Sequence, residues 1–154
     1  MHWSERIAGD IISRNPDKSE YVCAAGISPS GSVHIGNFRD VATSYFVAKA
    51  LRKAGKRARF LFSWDEFDRM RKVPINVAQV RDGMDKYIGF PYADMPNPFG
   101  GEAESYAKYF ENEFEASIKH FGIDMDYRYQ AYMYRTGKYT DYILLALSKR
   151  GEIF

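Results

Sequence analysis

The chain has 154 residues, of which 45% are hydrophobic and 27% charged, as expected for about one globular domain. Its net charge of +2 neither requires nor excludes a nucleic-acid partner, so only local patches of positive charge can indicate one. The single cysteine, Cys23, excludes an internal disulfide and a cysteine-rich zinc site. Charges throughout residues 1–20 argue against a signal peptide, and no apolar run approaches the ~20 residues of a membrane span. A cytosolic location is therefore expected.

The first third of the chain alternates helical and strand patterns. Residues 3–14 predict an amphipathic helix, because their apolar positions recur on one face. The apolar run 21–25 predicts a strand that is buried on both faces, as in a parallel sheet. A broad apolar stripe predicts a second helix over 34–54, and residues 57–63 predict a second strand.

The rest of the chain carries weaker patterns. Prolines and glycines mark a long irregular segment over 75–101, with one short helix predicted near 80–88. A helix is predicted over 102–121, a third strand over 126–130 and a last helix over 139–149. The apolar residues of that last helix are expected to face the interior; they are Ile143, Leu144 and Leu147.

The order of these elements predicts an α/β fold with a Rossmann-like (HUP-type) parallel sheet and flanking helices. Three strands make half of a doubly wound sheet, so we expect an incomplete nucleotide-binding fold. The chain is expected to be the N-terminal part of a catalytic domain in a longer protein. Within it, the residues from about 75 to 121 have the character of an insertion, made of a long loop and a helix.

The turn at residues 26–37 is the strongest candidate for a functional site. It links the first strand to the second helix, and ligands of parallel α/β sheets bind where such turns follow the strands. Free backbone N–H groups at the start of the helix suit a phosphate. His34 and Asn37 lie three positions apart, so both can face one ligand, and Gly36 leaves room for a flat ring.

A second candidate loop, residues 64–74, follows the second strand and is expected at the same edge of the sheet. Asp65 comes directly after the strand and is the better candidate to bind an ammonium group. Asp68 is expected to form an ion pair with Arg69 or Arg71 instead.

Residues 29–37 resemble the HIGH signature of class I aminoacyl-tRNA synthetases, here in the form His34-Ile35-Gly36-Asn37. Their surroundings are similar to class I lysyl-tRNA synthetases in particular, and the similarity extends over nearly the whole chain. The segments that carry it are His2-Trp3, 26–31, 37–39, 64–74 and Gly137-Lys138-Tyr139.

The resemblance implies a Rossmann catalytic domain that activates L-lysine with ATP and Mg²⁺ and then esterifies tRNA(Lys), without a membrane partner. His34 and Asn37 would contact the ATP phosphates and stabilise the transition state, and Gly36 would let adenine stack. The residues implied at the ATP site are Pro29, Ser30, His34, Gly36 and Asn37. Those implied at the lysine site are Gly26, Ser28 and Asp65.

Two departures from the family pattern limit this interpretation. The second signature of class I enzymes, the KMSKS loop, is absent, as is an anticodon-binding domain, so the chain alone is expected to be a weak or inactive catalyst. Some members hold zinc with Cys and His in the segment that corresponds to 98–110, which contains neither residue type here. We therefore predict no zinc in that segment.

Two alternative functions stay open at this point. The first is a small nucleotidyltransferase of the same superfold, whose helix begins with a similar His-x-Gly-His pattern. The second is a non-catalytic fragment that binds nucleotide or RNA.

Overall fold

Three parallel strands form the sheet on which the candidate site is built. In the computed structural model, which describes residues 1–153, they are β1 (Tyr21–Ile27), β2 (Ala58–Trp64) and β3 (Asp126–Tyr129). Their order across the sheet is β1-β2-β3, as in one half of a doubly wound fold. The prediction of an incomplete Rossmann-like parallel sheet is confirmed, and each strand lies within two residues of its predicted bounds.

The long helices are also where the sequence predicts them, although the one predicted over 102–121 begins only at Tyr106, after the N-cap Ser105. They are α1 (Trp3–Arg14), α2 (Ile35–Lys53) and α4 (Tyr106–His120). The shorter helices are α3 (Ile75–Ala78), α5 (Gln130–Arg135), α6 (Thr140–Ser148) and α7 (Arg150–Ile153), with 3₁₀ turns at Met84–Tyr87 and Tyr92–Asp94. The helix predicted near 80–88 is therefore a single 3₁₀ turn. Helix α5 was missed, because its six residues are too few for a helical period to be recognised.

The largest core lies between one face of the sheet and helices α2 and α4. Phe60, Phe62 and Trp64 alternate along β2, so all three point to this face. Phe114 of α4 packs on them, with its ring centroid 5.5 Å from those of both Phe62 and Trp64. Since the same helices flank the carboxyl ends of the strands, this core fixes where the loops of the site begin.

Strand β1 is less buried than its apolar sequence predicts. Its two ends, Tyr21 and Ile27, are buried, whereas Val22 is 43% exposed and Ala24 is exposed as well. The prediction that β1 is buried on both faces is therefore wrong. The reason is that α1 and α2 cover one face of this strand, and the opposite face carries Val22 and Ala24 toward solvent.

A second core organises the 75–121 segment and fastens it to the candidate site. Buried Tyr92 and Tyr106 stack with ring centroids 5.6 Å apart, and Phe110 packs against Tyr106. The Tyr106 hydroxyl donates a hydrogen bond of 2.8 Å to the backbone oxygen of Ser30. The 75–121 segment is thus tied directly to the turn that follows β1.

Helix α6 presents its apolar residues to solvent, so the prediction that they face the interior is wrong. Ile143, Leu144 and Leu147 are 43%, 59% and 57% exposed. The pattern predicted the helix, but within residues 1–153 no larger element packs on it to bury that face. Among the same residues, no helix is both long and apolar enough to cross a membrane.

Candidate functional site

The candidate site lies at the carboxyl edge of the sheet, where the chain leaves three neighbouring strands. Ser28, Asp65 and Gln130 are the first residues after β1, β2 and β3. The backbone N–H of Asp65 donates to the oxygen of Ile27 at 3.0 Å, which extends the pairing of β1 and β2 into the loops. The prediction that the 26–37 turn and the 64–74 loop share one edge is confirmed.

Gly26 and Asp65 meet across this edge. A Cβ atom at Gly26 would lie 3.3 Å from Asp65 Oδ2 and 3.2 Å from the backbone oxygen of Ser63. Asp65 Oδ1 accepts a hydrogen bond of 2.9 Å from the Ser63 hydroxyl. The absence of a side chain at Gly26 therefore lets the aspartate lie against β1 without displacing backbone.

Asp68 has a different partner from the one predicted. Its Oδ2 accepts a hydrogen bond of 2.6 Å from the hydroxyl of Ser28, 40 residues earlier. Within residues 1–153 it forms no ion pair with Arg69 or Arg71. The predicted ion pair is thus wrong, because adjacent residues of this loop diverge, while parallel pairing brings Ser28 beside Asp68.

The carboxyl of Asp65 is easier to protonate than an ordinary aspartate. Partial burial raises its pKa, the hydrogen bond from Ser63 opposes that rise, and the nearby charge of Asp68 adds to it. Two neighbouring carboxylates without a cation between them are an unfavourable arrangement. A bound cation would relieve this repulsion and favour the ionised form of both groups.

An open cavity of about 520 Å³ adjoins both carboxylates. Its walls are mostly aromatic or apolar, and they come from the 64–74 loop, α5 and α6. The lining residues are Asp65, Phe67, Asp68, Gln130, Tyr134, Tyr139, Tyr142, Ile143 and Ala146. The rings of Phe67 and Tyr134 stack 5.2 Å apart, and Tyr139 packs edge-on against Tyr134. Carboxylates beside aromatic faces suit a cation with an aliphatic chain.

Gln130 was not foreseen as a site residue, yet it connects the parts of this cavity. Its amide nitrogen donates to the Ser63 hydroxyl at 2.6 Å, and its amide oxygen accepts from the Tyr139 hydroxyl at 2.7 Å. Ser63 in turn donates to Asp65. The signal that could have revealed Gln130 is its place directly after a strand, at the same edge as Ser28 and Asp65.

Glu66 holds the backbone of Gln130 in place. Its buried carboxylate accepts the backbone N–H of Gln130 at 3.0 Å and that of Ala131 at 2.7 Å. These are two of the N–H groups that the start of α5 leaves without helical partners. The 64–74 loop therefore positions both Asp65, directly, and Gln130, through Glu66.

The turn before α2 is built around the imidazole of His34. This residue is the N-cap of α2, and its Nδ1 accepts the backbone N–H of Gly36 at 3.0 Å. A Cβ at Gly36 would lie only 2.9 Å from Cε1 of that ring. A side chain at position 36 would thus crowd the capping imidazole, independently of the room that Gly36 leaves for a flat ligand ring.

The other predicted residues of this turn are held by backbone contacts. Pro29 is buried, and the Ser30 N–H donates to the oxygen of Ser28 at 2.7 Å. Asn37 is half-buried, and its backbone N–H donates to the oxygen of His34 at 3.0 Å.

The predicted residues fall into two neighbouring groups. Asp65 lines the aromatic cavity, with Gly26 against Asp65 and Ser28 hydrogen-bonded to Asp68, whereas His34 lines a separate cavity of about 420 Å³ between α2 and α4. Across the described part of the chain, no group of three or more His, Cys, Asp or Glu residues is arranged to hold a metal ion.

Comparison with known proteins gives a consistent result. A family model described as "tRNA synthetases class I (K)" matches residues 1–154. The chain is 42% identical to the lysine–tRNA ligase of Pyrococcus horikoshii over 153 residues, which cover 99% of this chain and 28% of that protein. It is 44% identical to the same enzyme of Thermococcus kodakarensis, with the same 99% and 28% coverage. For the enzyme of Treponema pallidum, identity is 42% and coverage is 99% and 29%. The chain thus spans less than a third of these relatives.

Proposed function

The chain belongs to the class I (K) family of tRNA synthetases, and on this basis we propose that it acts in the ATP-dependent activation of lysine and its attachment to tRNA(Lys). In this proposal the chain supplies the part of the catalytic domain that carries the HIGH motif. The relatives that it matches along its whole length are named lysine–tRNA ligases. The activity is proposed for the complete polypeptide.

The observation that carries the lysine assignment is the pair of carboxylates in the aromatic cavity. Asp65 and Asp68 face it, and neither forms an ion pair within residues 1–153. An ammonium group of lysine would neutralise them, while its aliphatic chain would lie against Phe67 and the tyrosines. In this proposal Gly26 and Ser28 belong to the lysine site through the aspartates, since Gly26 leaves room for Asp65 and Ser28 donates a hydrogen bond to Asp68.

The start of α2 is the proposed site for ATP. Because Nδ1 of His34 accepts a hydrogen bond, a neutral imidazole carries its proton on Nε2, which is then free to donate to a phosphate oxygen. Asn37 would supply a second donor, and the Pro29-Ser30 turn and Gly36 would bring backbone close to the nucleotide. Mg²⁺ would enter as part of the substrate, bound by the ATP phosphates.

The reaction requires little covalent chemistry from the protein. The carboxylate of lysine is already a nucleophile at neutral pH, so activation needs no general base. The protein must align this carboxylate with the α-phosphate and stabilise the charge that develops on the phosphoryl oxygens. Fixed donors at the start of a helix, close to a site for the amino acid, meet this requirement.

The decisive experiment is lysine-dependent exchange between ATP and pyrophosphate, catalysed by the complete polypeptide. Exchange with lysine is expected, and His34→Ala should slow it by an amount that corresponds to roughly 2–4 kcal/mol, typical for a key donor. His120→Ala is the matched control, because His120 is an exposed residue at the end of α4. Exchange that requires another amino acid would contradict the lysine assignment. An unchanged rate in His34→Ala would remove His34 from the mechanism.

A further inference from the structure

A third cavity, of about 320 Å³, shares Asp68 with the aromatic cavity. It connects the Ser28–Ser30 turn with the basic part of the 64–74 loop. Its lining residues are Ser28, Ser30, Asp68, Arg69, Arg71, Lys72, Pro74 and Tyr92. Two serine residues and three basic residues therefore meet beside the first turn of the candidate site.

The basic side chains of this cavity have no acidic partners of their own. Within residues 1–153, Arg69, Arg71 and Lys72 form no ion pair with Asp or Glu. The one acidic residue in the lining, Asp68, already accepts the hydroxyl of Ser28. The cavity thus carries an excess of positive charge, which favours an anion.

The backbone that carries these bases is fixed. Met70 lies between Arg69 and Arg71 and is fully buried in the core of the 75–121 segment. Its N–H donates to the oxygen of Phe90 at 2.8 Å, and its oxygen accepts the N–H of Gly89 at 2.9 Å. Arg69 and Arg71, on either side of Met70, are exposed. Because Met70 already fixes this stretch of backbone, a ligand need not order it on binding.

We propose that this cavity binds phosphates of the tRNA strand whose 3′ end enters the active site. The inference rests on the proposed function, which requires the terminal ribose of tRNA to reach activated lysine. Arg69, Arg71 and Lys72 line this cavity together with Ser28 and Ser30, which the proposed function assigns to the lysine and ATP sites. Arginine and lysine are the usual partners of nucleic-acid phosphates. The phosphates of ATP are assigned to the start of α2, where His34 lies.

The test compares two reactions of the complete polypeptide, only one of which involves tRNA. Arg71→Gln/Lys72→Gln should raise KM for tRNA(Lys) in aminoacylation on the order of ten-fold and leave lysine-dependent pyrophosphate exchange unchanged. The slope of log KM against log salt should fall by about 0.7 for each phosphate that the variant no longer neutralises. Arg71→Lys/Lys72→Arg keeps both charges and should stay within two-fold or so of the unmodified protein. The intact exchange reaction shows that the charge-removing variant is folded.

The matched control is Lys56→Gln/Arg57→Gln, which removes the same charge at the opposite edge of the sheet, just before β2 begins. A raised KM for ATP in exchange, with KM for tRNA unchanged, would assign the cavity to nucleotide phosphates and overturn the proposal. An equal rise in KM for tRNA in both double variants would overturn the proposal as well, because it would reflect only the overall charge of the protein. Failure of the unmodified protein to exchange would instead contradict the proposed function.

Discussion

The side-chain amide of Gln130 donates a 2.6 Å hydrogen bond to the hydroxyl of Ser63. These residues lie 67 positions apart, and parallel pairing of β2 with β3 brings them together. Since the Ser63 oxygen accepts this bond, its own proton points to Asp65 Oδ1, 2.9 Å away. Gln130 therefore acts on the aspartate through Ser63 and is a positioning residue in the proposed lysine site.

Replacing Gln130 by alanine should weaken lysine binding more than catalysis. Asp65 would lose an oriented donor, a net cost of about 0.5–1.5 kcal/mol, or roughly two- to twelve-fold in KM for lysine. Steady-state pyrophosphate exchange with varied lysine measures this, and KM for ATP should stay constant. Gln79→Ala, at an exposed position after α3, is the control. A Gln130→Glu variant should fare no better, because a carboxylate would draw the Ser63 proton away from Asp65.

Lysine binding should depend on the ionisation of Asp65. Burial and Asp68 raise the pKa of this group, so it becomes protonated at a higher pH than an ordinary aspartate, and the attraction for an ammonium group is lost as pH falls. We expect KM for lysine to rise on acidification, and Asp65→Asn to raise KM at neutral pH and flatten the profile. Exchange kinetics across the acidic range provide the measurement. A profile that is unchanged in Asp65→Asn would show that another group is responsible.

Gly36→Ala should destabilise the start of α2. The added Cβ would lie 2.9 Å from the His34 ring, which must then leave its cap position. Losing an N-cap typically costs about 0.5–2 kcal/mol, measurable by urea denaturation. Gly9→Ala in α1 is the matched control: nothing lies within 4 Å of its added Cβ, and higher helix propensity should stabilise it slightly. Equal stability of both variants would contradict the proposed role of Gly36.

The stability of the chain should fall as pH rises through the neutral range. Burial raises the pKa of Glu111 to about 7, and the ion pair with Lys108 at 3.3 Å only partly opposes this. Between its ordinary pKa and about 7, the folded state binds more protons than the unfolded state, so increasing pH favours unfolding. Glu111→Gln should remove this dependence and make the protein more stable than the unmodified chain at pH 8, but not at pH 4. Urea denaturation at pH 4 and pH 8 measures the free energy of unfolding of both proteins. If that free energy changed with pH by the same amount in both, the prediction would be contradicted.

Much of the fold could be predicted because its signals are local. The helical periods of α1, α2 and α4 and the apolar run of β1 each depend on neighbouring residues, and the structure agrees on all four elements. Burial was harder to foresee. The same apolar run that identifies β1 does not reveal that Val22 is exposed, and the pattern of α6 does not reveal that its apolar residues lack a covering element. Burial depends on what packs against an element, which no local pattern contains.

In the candidate site, too, some features follow from the local sequence and others from tertiary contacts. The sequence by itself determined the family resemblance, the strand–turn–helix at residues 26–37 and the position of Asp65 after β2, because motifs and strand ends are read along the chain. Only the tertiary structure decided that Ser28 pairs with Asp68, that Glu66 holds the start of α5 and that Gln130 reaches Ser63. These contacts join residues 40 to 67 positions apart, and their geometry is set by the register of a parallel sheet.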